Sequence, residues 1–103
     1  MNTRREKLEG LVAQDPNDSF SRYALALELE KAGEESESVT HLREVILRDP
    51  NYIAAFYHLG RLLASQGNTE EARAVYQQGL NAGATADDQR TRSEIQQALE
   101  MLE

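Results

Sequence analysis

The sequence contains no cysteine, so neither disulfides nor thiolate metal sites can contribute to the fold. It also lacks a long apolar run, because its longest nearly apolar stretch covers only residues 52–57 and a membrane-spanning helix needs about 20 such residues. The first ten residues are charged, unlike the apolar segment of a secretory signal peptide. These absences predict a cytoplasmic protein that does not cross a membrane.

Positive charge is scarce as well. The chain has 11 lysines and arginines against 18 aspartates and glutamates, and its formal net charge is -7. The basic residues concentrate only at Arg4, Arg5 and Lys7, so no basic face stands apart from the acidic ones. Because an acidic surface repels phosphate backbones, the sequence predicts that nucleic acid is not a partner.

No arrangement typical of catalysis or cofactor binding is present. His41 and His58 have no ligand partner at metal-binding spacing, and no glycine loop has the phosphate-binding pattern. Paired carboxylates at 34–35, 70–71 and 87–88 precede predicted helices, where negative charge favours the helix dipole. We therefore expect no enzyme activity, no cofactor and no bound metal.

An internal repeat is the most informative feature that the sequence does contain. Residues 15–17, Asp-Pro-Asn, recur 34 positions later at 49–51. The match continues through the pairs Tyr23/Tyr57, Leu25/Leu59, Leu29/Leu63, Gly33/Gly67 and Glu37/Glu71. A period of this length is typical of stacked helical hairpins, each of which cannot bury its apolar face alone.

Apolar spacing predicts two helices in repeat 1, which covers residues 15–48. The first helix runs from Asn17, as its capping residue, to Ala32, and Gly33 then ends it in a left-handed conformation. The second runs from Glu35 to Arg48, where the following Asp-Pro pair disfavours a further helical turn.

Repeat 2, which covers residues 49–83, has the same plan. Asn51 is predicted to cap a helix that continues to Gln66 and is ended by Gly67. The second helix begins at Asn68 with a capping-box-like pattern completed by Glu71, and it ends near residue 83.

A further helix is predicted on each side of the two repeats. In residues 1–14 the apolar spacing matches that of the second helix of repeat 1, with Leu8, Leu11 and Val12 at the corresponding positions. Residues 85–103 match the first helix of a repeat, with Thr85 as the expected cap. Two repeats alone are short for a stable stack, so either these helices or another subunit must complete the core. We expect the helices to cover the ends of the stack and to form a single domain over residues 1–103.

The second repeat resembles the tetratricopeptide repeat family. The matching positions are Phe56, Leu59, Gly60, Leu63, Gly67, Ala72, Tyr76, Gly79 and Leu80. Pro16 and Pro50 stand at the family's terminal proline position, whereas repeat 1 departs from the pattern with Arg22 in place of the aromatic residue and Ser38 in place of the small alanine. The resemblance implies an all-α fold, a right-handed helical-hairpin solenoid.

In that family, one stripe of each first helix lines a concave groove that holds a peptide or helix of a partner. The resemblance places the following residues on this stripe: Phe20, Tyr23, Leu27, Glu30, Ala54, Tyr57, His58 and Arg61. The last helix would add Ser93, Gln96 and Glu100 if it packs as a third such helix. A competing interpretation is that residues 1–5 fold over the stripe and complete a small core.

Two classes of function follow. The resemblance implies a noncatalytic protein-interaction module, whose partner the sequence does not identify. The alternative is an assembly unit, in which Phe20, Tyr23 and Leu27 are buried against a second copy or against the rest of a longer parent protein. We expect a monomer under the first hypothesis and a concentration-dependent homo-oligomer under the second.

Overall fold

The structure is a computed structural model that describes residues 3–82 and 88–102. These residues form helices and no strand, which confirms the predicted all-α helical repeat fold. The helices are α1 (Arg4–Gln14), α2 (Ser19–Lys31), α3 (Glu35–Arg48), α4 (Ile53–Ser65), α5 (Thr69–Asn81) and α6 (Gln89–Met101).

The chain divides into two compact units, Met1–Asp49 and Pro50–Glu103. In the first unit, α2 packs against both α3 and α1. In the second unit, α4 packs against α5, and α6 packs against both of them. Each unit therefore contains one helical hairpin and one additional helix.

The core of the first unit lies between the helices of its hairpin. Leu25 and Leu29 of α2 and Leu42 and Val45 of α3 are all at most 2% exposed. Ser38 is fully buried beside them, and its hydroxyl donates a hydrogen bond of 2.7 Å to the Ala26 carbonyl oxygen. This bond explains how a serine fits a position where repeat 2 has an alanine.

Helix α1 is attached to the first unit by few apolar contacts. Leu8 is its only buried residue, and it joins a cluster with Ala24, Leu25 and Leu29 against which the half-buried Val12 packs. Ion pairs supplement this packing, because Arg5 pairs with Glu34 and lies 3.8 Å from Glu37. The helix begins with a capping box between Thr3 and Glu6, which was not among the predicted caps.

The second unit has a larger core around α4. Phe56, Leu59 and Leu63 are at most 4% exposed, and Tyr76 of α5 is 2% exposed. Ile95 of α6 is fully buried against this hairpin. Its presence there shows that the last helix contributes to the core of the unit.

The predicted cap at Asn17 is wrong. Helix α2 is capped by Asp18, whose carboxylate accepts hydrogen bonds from the backbone N–H of Ser21 at 3.2 Å and from its hydroxyl at 2.7 Å. These hydrogen bonds lower the pKa of Asp18. The Asn17 side chain instead accepts a hydrogen bond of 2.8 Å from Arg48 of α3. The cap therefore lies one residue later than predicted, and the Asn17 side chain makes a tertiary contact instead.

In repeat 2 the predicted cap at Asn51 is wrong, whereas Asn68 does stand at the N-cap position of its helix. Helix α4 begins after Tyr52 rather than Asn51, and Tyr52 makes no side-chain capping hydrogen bond. Asn68 is the residue before α5, but its side chain makes no capping hydrogen bond either, so the capping box with Glu71 does not form. Thr85 lies outside the described residues, and Asp88 precedes α6.

The two predicted helix-ending glycines are confirmed. Gly33 has φ 82° and Gly67 has φ 86°, values that a residue with a side chain rarely adopts. Both follow the first helix of a hairpin, as the left-handed terminator should. They set the sharp turns that allow α3 to fold back on α2 and α5 on α4.

Candidate functional site

In the first unit, three of the predicted stripe residues come together on α2. Phe20, Tyr23 and Leu27 line an open cavity of about 380 Å³, which we call the α2 cavity. The i, i+3 and i+7 spacing of these residues places them on one side of the helix. Phe20 is 66% exposed, so the described N-terminal residues leave it accessible.

The rim of the α2 cavity is charged. Arg4 of α1, Glu28 and Lys31 complete its lining together with Ala24. The Arg4 Nε atom lies 3.0 Å from Glu28 Oε1, and the Lys31 Nζ atom lies 3.8 Å from the same oxygen. One carboxylate oxygen therefore holds two cationic side chains at the edge of an apolar surface.

Glu30, the acidic residue predicted for this stripe, does not line the cavity. Glu28 occupies the acidic position instead. Its i+3 relation to Lys31 was a signal present in the sequence. Arg4 could not be found from local spacing, because it reaches the cavity only through the packing of α1 on α2.

In the second unit, three of the predicted stripe residues form a compact group on α4. We call this group, Tyr57, His58 and Arg61, the α4 cluster. The rings of Tyr57 and His58 meet edge to face with centroids 5.3 Å apart. The Arg61 guanidinium carbon lies 5.8 Å from the Tyr57 ring centroid, within range of a cation–π interaction. Arg61 also approaches the His58 Nδ1 atom at 3.4 Å.

Burial and neighbouring groups shift the pKa of His58 in the α4 cluster and of Tyr76 on α5. Burial, and then the nearby Arg61 charge, lower the pKa of His58 to about 4. Burial and the neighbouring Tyr57 raise the pKa of Tyr76. His58 is therefore neutral at physiological pH, and Arg61 supplies the positive charge of this face.

Ala54, the remaining predicted stripe residue, lies at a separate cavity of about 220 Å³ in the second unit. Helix α6 and its start contribute Thr91 and Asp88 to the lining. Ser93, Gln96 and Glu100, which the sequence analysis associated with this surface, are exposed on α6 and are not among the lining residues.

Over residues 3–82 and 88–102, no group of three or more histidine, aspartate or glutamate side chains is arranged to hold a metal ion. Within the same ranges, no helix combines the length and apolar character that spanning a bilayer requires.

A family model described as "Tetratricopeptide repeat" matches residues 29–102. A TPR repeat-containing protein of Pseudomonas aeruginosa is 29% identical over 98 residues, a match covering 95% of this chain and 93% of that protein. A probable biofilm formation methyltransferase of Pseudomonas putida is 26% identical over 83 residues. That match covers 81% of this chain but only 20% of the putida protein.

Solved structures show the same architecture. A tetratricopeptide repeat domain protein from Salinibacter ruber is 36% identical, with a TM-score of 0.77 over 84% of this chain and 87% of that one. A protein from Bordetella parapertussis is 30% identical, with a TM-score of 0.77 over 97% and 87%. The type III secretion translocator chaperone SycD of Yersinia enterocolitica has a TM-score of 0.85 over 93% and 67% at 14% identity, which shows the fold alone.

Proposed function

This chain belongs to the tetratricopeptide repeat family, and from that premise we propose that it is a noncatalytic module that binds a peptide or helix of a partner protein. The family's fold is in general a protein-interaction module. The proposed contact residues are those of the predicted stripe on α2, namely Phe20, Tyr23, Leu27 and Glu30, and those on α4, namely Ala54, Tyr57, His58 and Arg61. We propose a cytoplasmic location, where such a partner would be met.

The observation that carries the proposal is the open apolar lining of the α2 cavity. Leu25 and Leu29 already fill the core side of α2, so the helix does not need a second apolar stripe to fold. Phe20 nevertheless projects beside Tyr23 and Leu27 with 66% of its surface exposed. Apolar and aromatic side chains held open on a packed scaffold are typical of protein-binding surfaces.

The α4 cluster supports the same function. Tyrosine and arginine are the residue types that most often dominate interface energetics. Tyr57 and Arg61 are held next to each other by the cation–π arrangement, which reduces the side-chain entropy that binding would cost. A neutral His58 adds a polar ring without a second charge.

The same exposed phenylalanine supports a second candidate, self-assembly through the α2 cavity. A second copy covering Phe20 would remove this apolar surface from water as effectively as a partner would. The two candidates differ in their dependence on protein concentration. We propose the monomeric binding module, and sedimentation at micromolar concentration tests it, because a dimer abolished by Tyr23→Ala would establish assembly instead.

The experiment that tests binding compares two double variants with the parent chain. Tyr23→Ala with Tyr57→Ala removes the proposed anchors, and Leu47→Ala with Met101→Ala removes apolar side chains that are 76% and 82% exposed elsewhere. Proteins captured from a lysate by the parent chain are identified by mass spectrometry, and their binding to each variant is then measured with purified partner.

The proposal requires that the tyrosine variant loses partner binding while its thermal transition stays near that of the parent. The control variant should bind normally. Undiminished binding by the tyrosine variant would refute a binding role for these faces, and unfolding of that variant would count against it, because the tyrosines would then belong to the core.

A further inference from the structure

We infer that the α2 cavity takes an acidic peptide segment, in which a large apolar side chain lies next to a glutamate or aspartate. This inference rests on the proposed function and names the chemical class of the partner. It is drawn from the pairing of an apolar lining with an unbalanced charged rim.

The apolar part of the cavity specifies the anchor. Phe20, Tyr23, Ala24 and Leu27 supply the apolar and aromatic lining, and the volume of about 380 Å³ lies toward the lower end of the range of about 300–1,000 Å³ for ligand pockets. This space suits one large side chain and its neighbours. A phenylalanine or leucine of the ligand would bury the part of Phe20 that is now in water.

The rim specifies the charge beside that anchor. Arg4 and Lys31 both contact the same oxygen of Glu28, so two positive charges share one negative charge. Their side chains remain 67% and 77% exposed, which leaves them accessible to a ligand. A carboxylate next to the anchor would complete the neutralisation of the rim and accept charge-assisted hydrogen bonds.

A basic ligand does not match this rim. Among the residues that the structure describes, Glu28 is the only carboxylate that lines the cavity, and it already faces two cations of the protein. The electrostatic field of the whole protein opposes this local preference, because the net charge of -7 repels acidic peptides at a distance. A preference for acidic peptides would therefore report the local contacts of the rim and not the overall charge.

The test uses three labelled peptides that share a central phenylalanine and differ only in its flanking residues, which are glutamate, glutamine or lysine. Fluorescence anisotropy measures their affinities, and NMR chemical-shift changes at Ala24 and Leu27 locate the binding. We expect affinity to fall in the order glutamate, glutamine, lysine, with about threefold to tenfold between the first and the last, as exposed ion pairs allow.

A matched pair of variants assigns the preference to the rim. Arg4→Gln with Lys31→Gln removes both rim cations. Lys7→Gln with Arg90→Gln makes the same change in net charge at exposed positions outside the cavity lining. The first variant should lose the preference for glutamate, whereas the second should keep it.

Different results would overturn the acidic specificity and the underlying binding function. Equal affinity for the glutamate and lysine peptides, with both weakened by Tyr23→Ala, would overturn the acidic specificity and leave the binding function standing. The same preference in both glutamine variants would also overturn it. Absence of binding by all three peptides would overturn the acidic-peptide inference alone, since the proposed function is judged by the partner captured with the parent chain.

Discussion

The ring of Tyr76 lies directly against the backbone of Gly60, where a β-carbon would be only 2.4 Å from the Tyr76 Cε1 atom. No real β-carbon tolerates such a distance, and Tyr76 is 2% exposed, so the ring cannot move aside into solvent. The close approach of α4 and α5 in the second unit therefore depends on a glycine at this position.

We predict that Gly60→Ala destabilises the protein by about 1–3 kcal/mol, the usual cost of overpacking a core. Gly10→Ala is the matched control, because Gly10 lies inside α1 with nothing within 4 Å of its added β-carbon. That change should stabilise the protein by about 0.5–1 kcal/mol through helix propensity. Chemical denaturation of both variants checks the opposite signs, and equal effects would contradict the packing argument.

The core of α4 should not accept a charge. Leu59 is 2% exposed, and an unpaired carboxylate there would cost several kcal/mol of unfolding free energy. We expect Leu59→Asp to abolish the cooperative thermal transition followed by circular dichroism. Leu47→Asp, at a leucine that is 76% exposed, should change stability by only about 0.5 kcal/mol. A near-parental transition for Leu59→Asp would contradict the helix packing.

The last helix should stabilise the second unit. Ile95 is fully buried, whereas Met101 of the same helix is 82% exposed. Ile95→Ala is expected to cost about 2–4 kcal/mol, and Met101→Ala about 0.5 kcal/mol or less. Deleting residues 86–103 should cause a larger loss or aggregation, since it uncovers apolar surface of α4 and α5. A deletion as stable and monomeric as the parent would show that α6 is only a tail.

Replacing Arg22 with phenylalanine should stabilise the first unit. Arg22 stands at the position that Phe56 occupies in repeat 2, and its Nε atom is buried without a hydrogen-bond partner. Phe removes that unsatisfied donor and adds apolar contact, but it also gives up the guanidinium's hydrogen bond of 3.2 Å to the Pro16 carbonyl oxygen and its contact of 3.3 Å with the His41 ring. Because both of these contacts are partly exposed, we expect a net gain of about 0.5–1 kcal/mol. Arg43→Phe, at an exposed position of α3, is the control and should give no gain in thermal stability.

Stability should depend on His58 in mildly acidic solution. Its pKa is about 4 in the folded protein against 6.5 as the ordinary value, so the unfolded chain binds more protons between these values. The contribution is fully present above pH about 6.5 and is lost as the pH falls toward about 4, by an amount on the order of 1–2 kcal/mol after allowance for partial exposure.

His58→Gln should flatten this dependence of unfolding free energy on pH. Some slope will remain, because burial and the Arg22 charge also lower the pKa of His41. The parallel variant His41→Gln measures that part. An unchanged slope in His58→Gln would show that the histidine is not kept neutral by its surroundings.

The helices were predictable because their signals are local. Apolar spacing and the left-handed glycines at 33 and 67 belong to single helices and their ends, and the second helix of repeat 1 was predicted at the observed bounds. The caps at Asn17 and Asn51 were not predictable in this way. Asn17 is engaged by Arg48 from another helix, and a contact of that kind has no sequence spacing to reveal it.

In the candidate site, too, the features set by local spacing were predictable and those set by tertiary packing were not. The stripe of Phe20, Tyr23 and Leu27 follows from helical periodicity, and the structure groups these residues around one cavity. The charged rim could not be predicted without knowing how α1 packs on α2, because Arg4 is 24 positions from Glu28 in the sequence. Whether the stripe residues bind a partner stays a prediction.

The weak attachment of α1 has a consequence for ligand affinity. One buried leucine, the half-buried Val12 and a set of partly exposed ion pairs hold this helix. We therefore expect it to open locally more often than α2 and to exchange its amide hydrogens faster. Opening removes Arg4 from the rim, so a ligand that contacts Arg4 binds only the closed form. Its apparent affinity is then the intrinsic affinity multiplied by the fraction of molecules in which α1 is closed. Salt, which weakens exposed ion pairs, would then lower affinity through the population of the helix as well as through the contact itself.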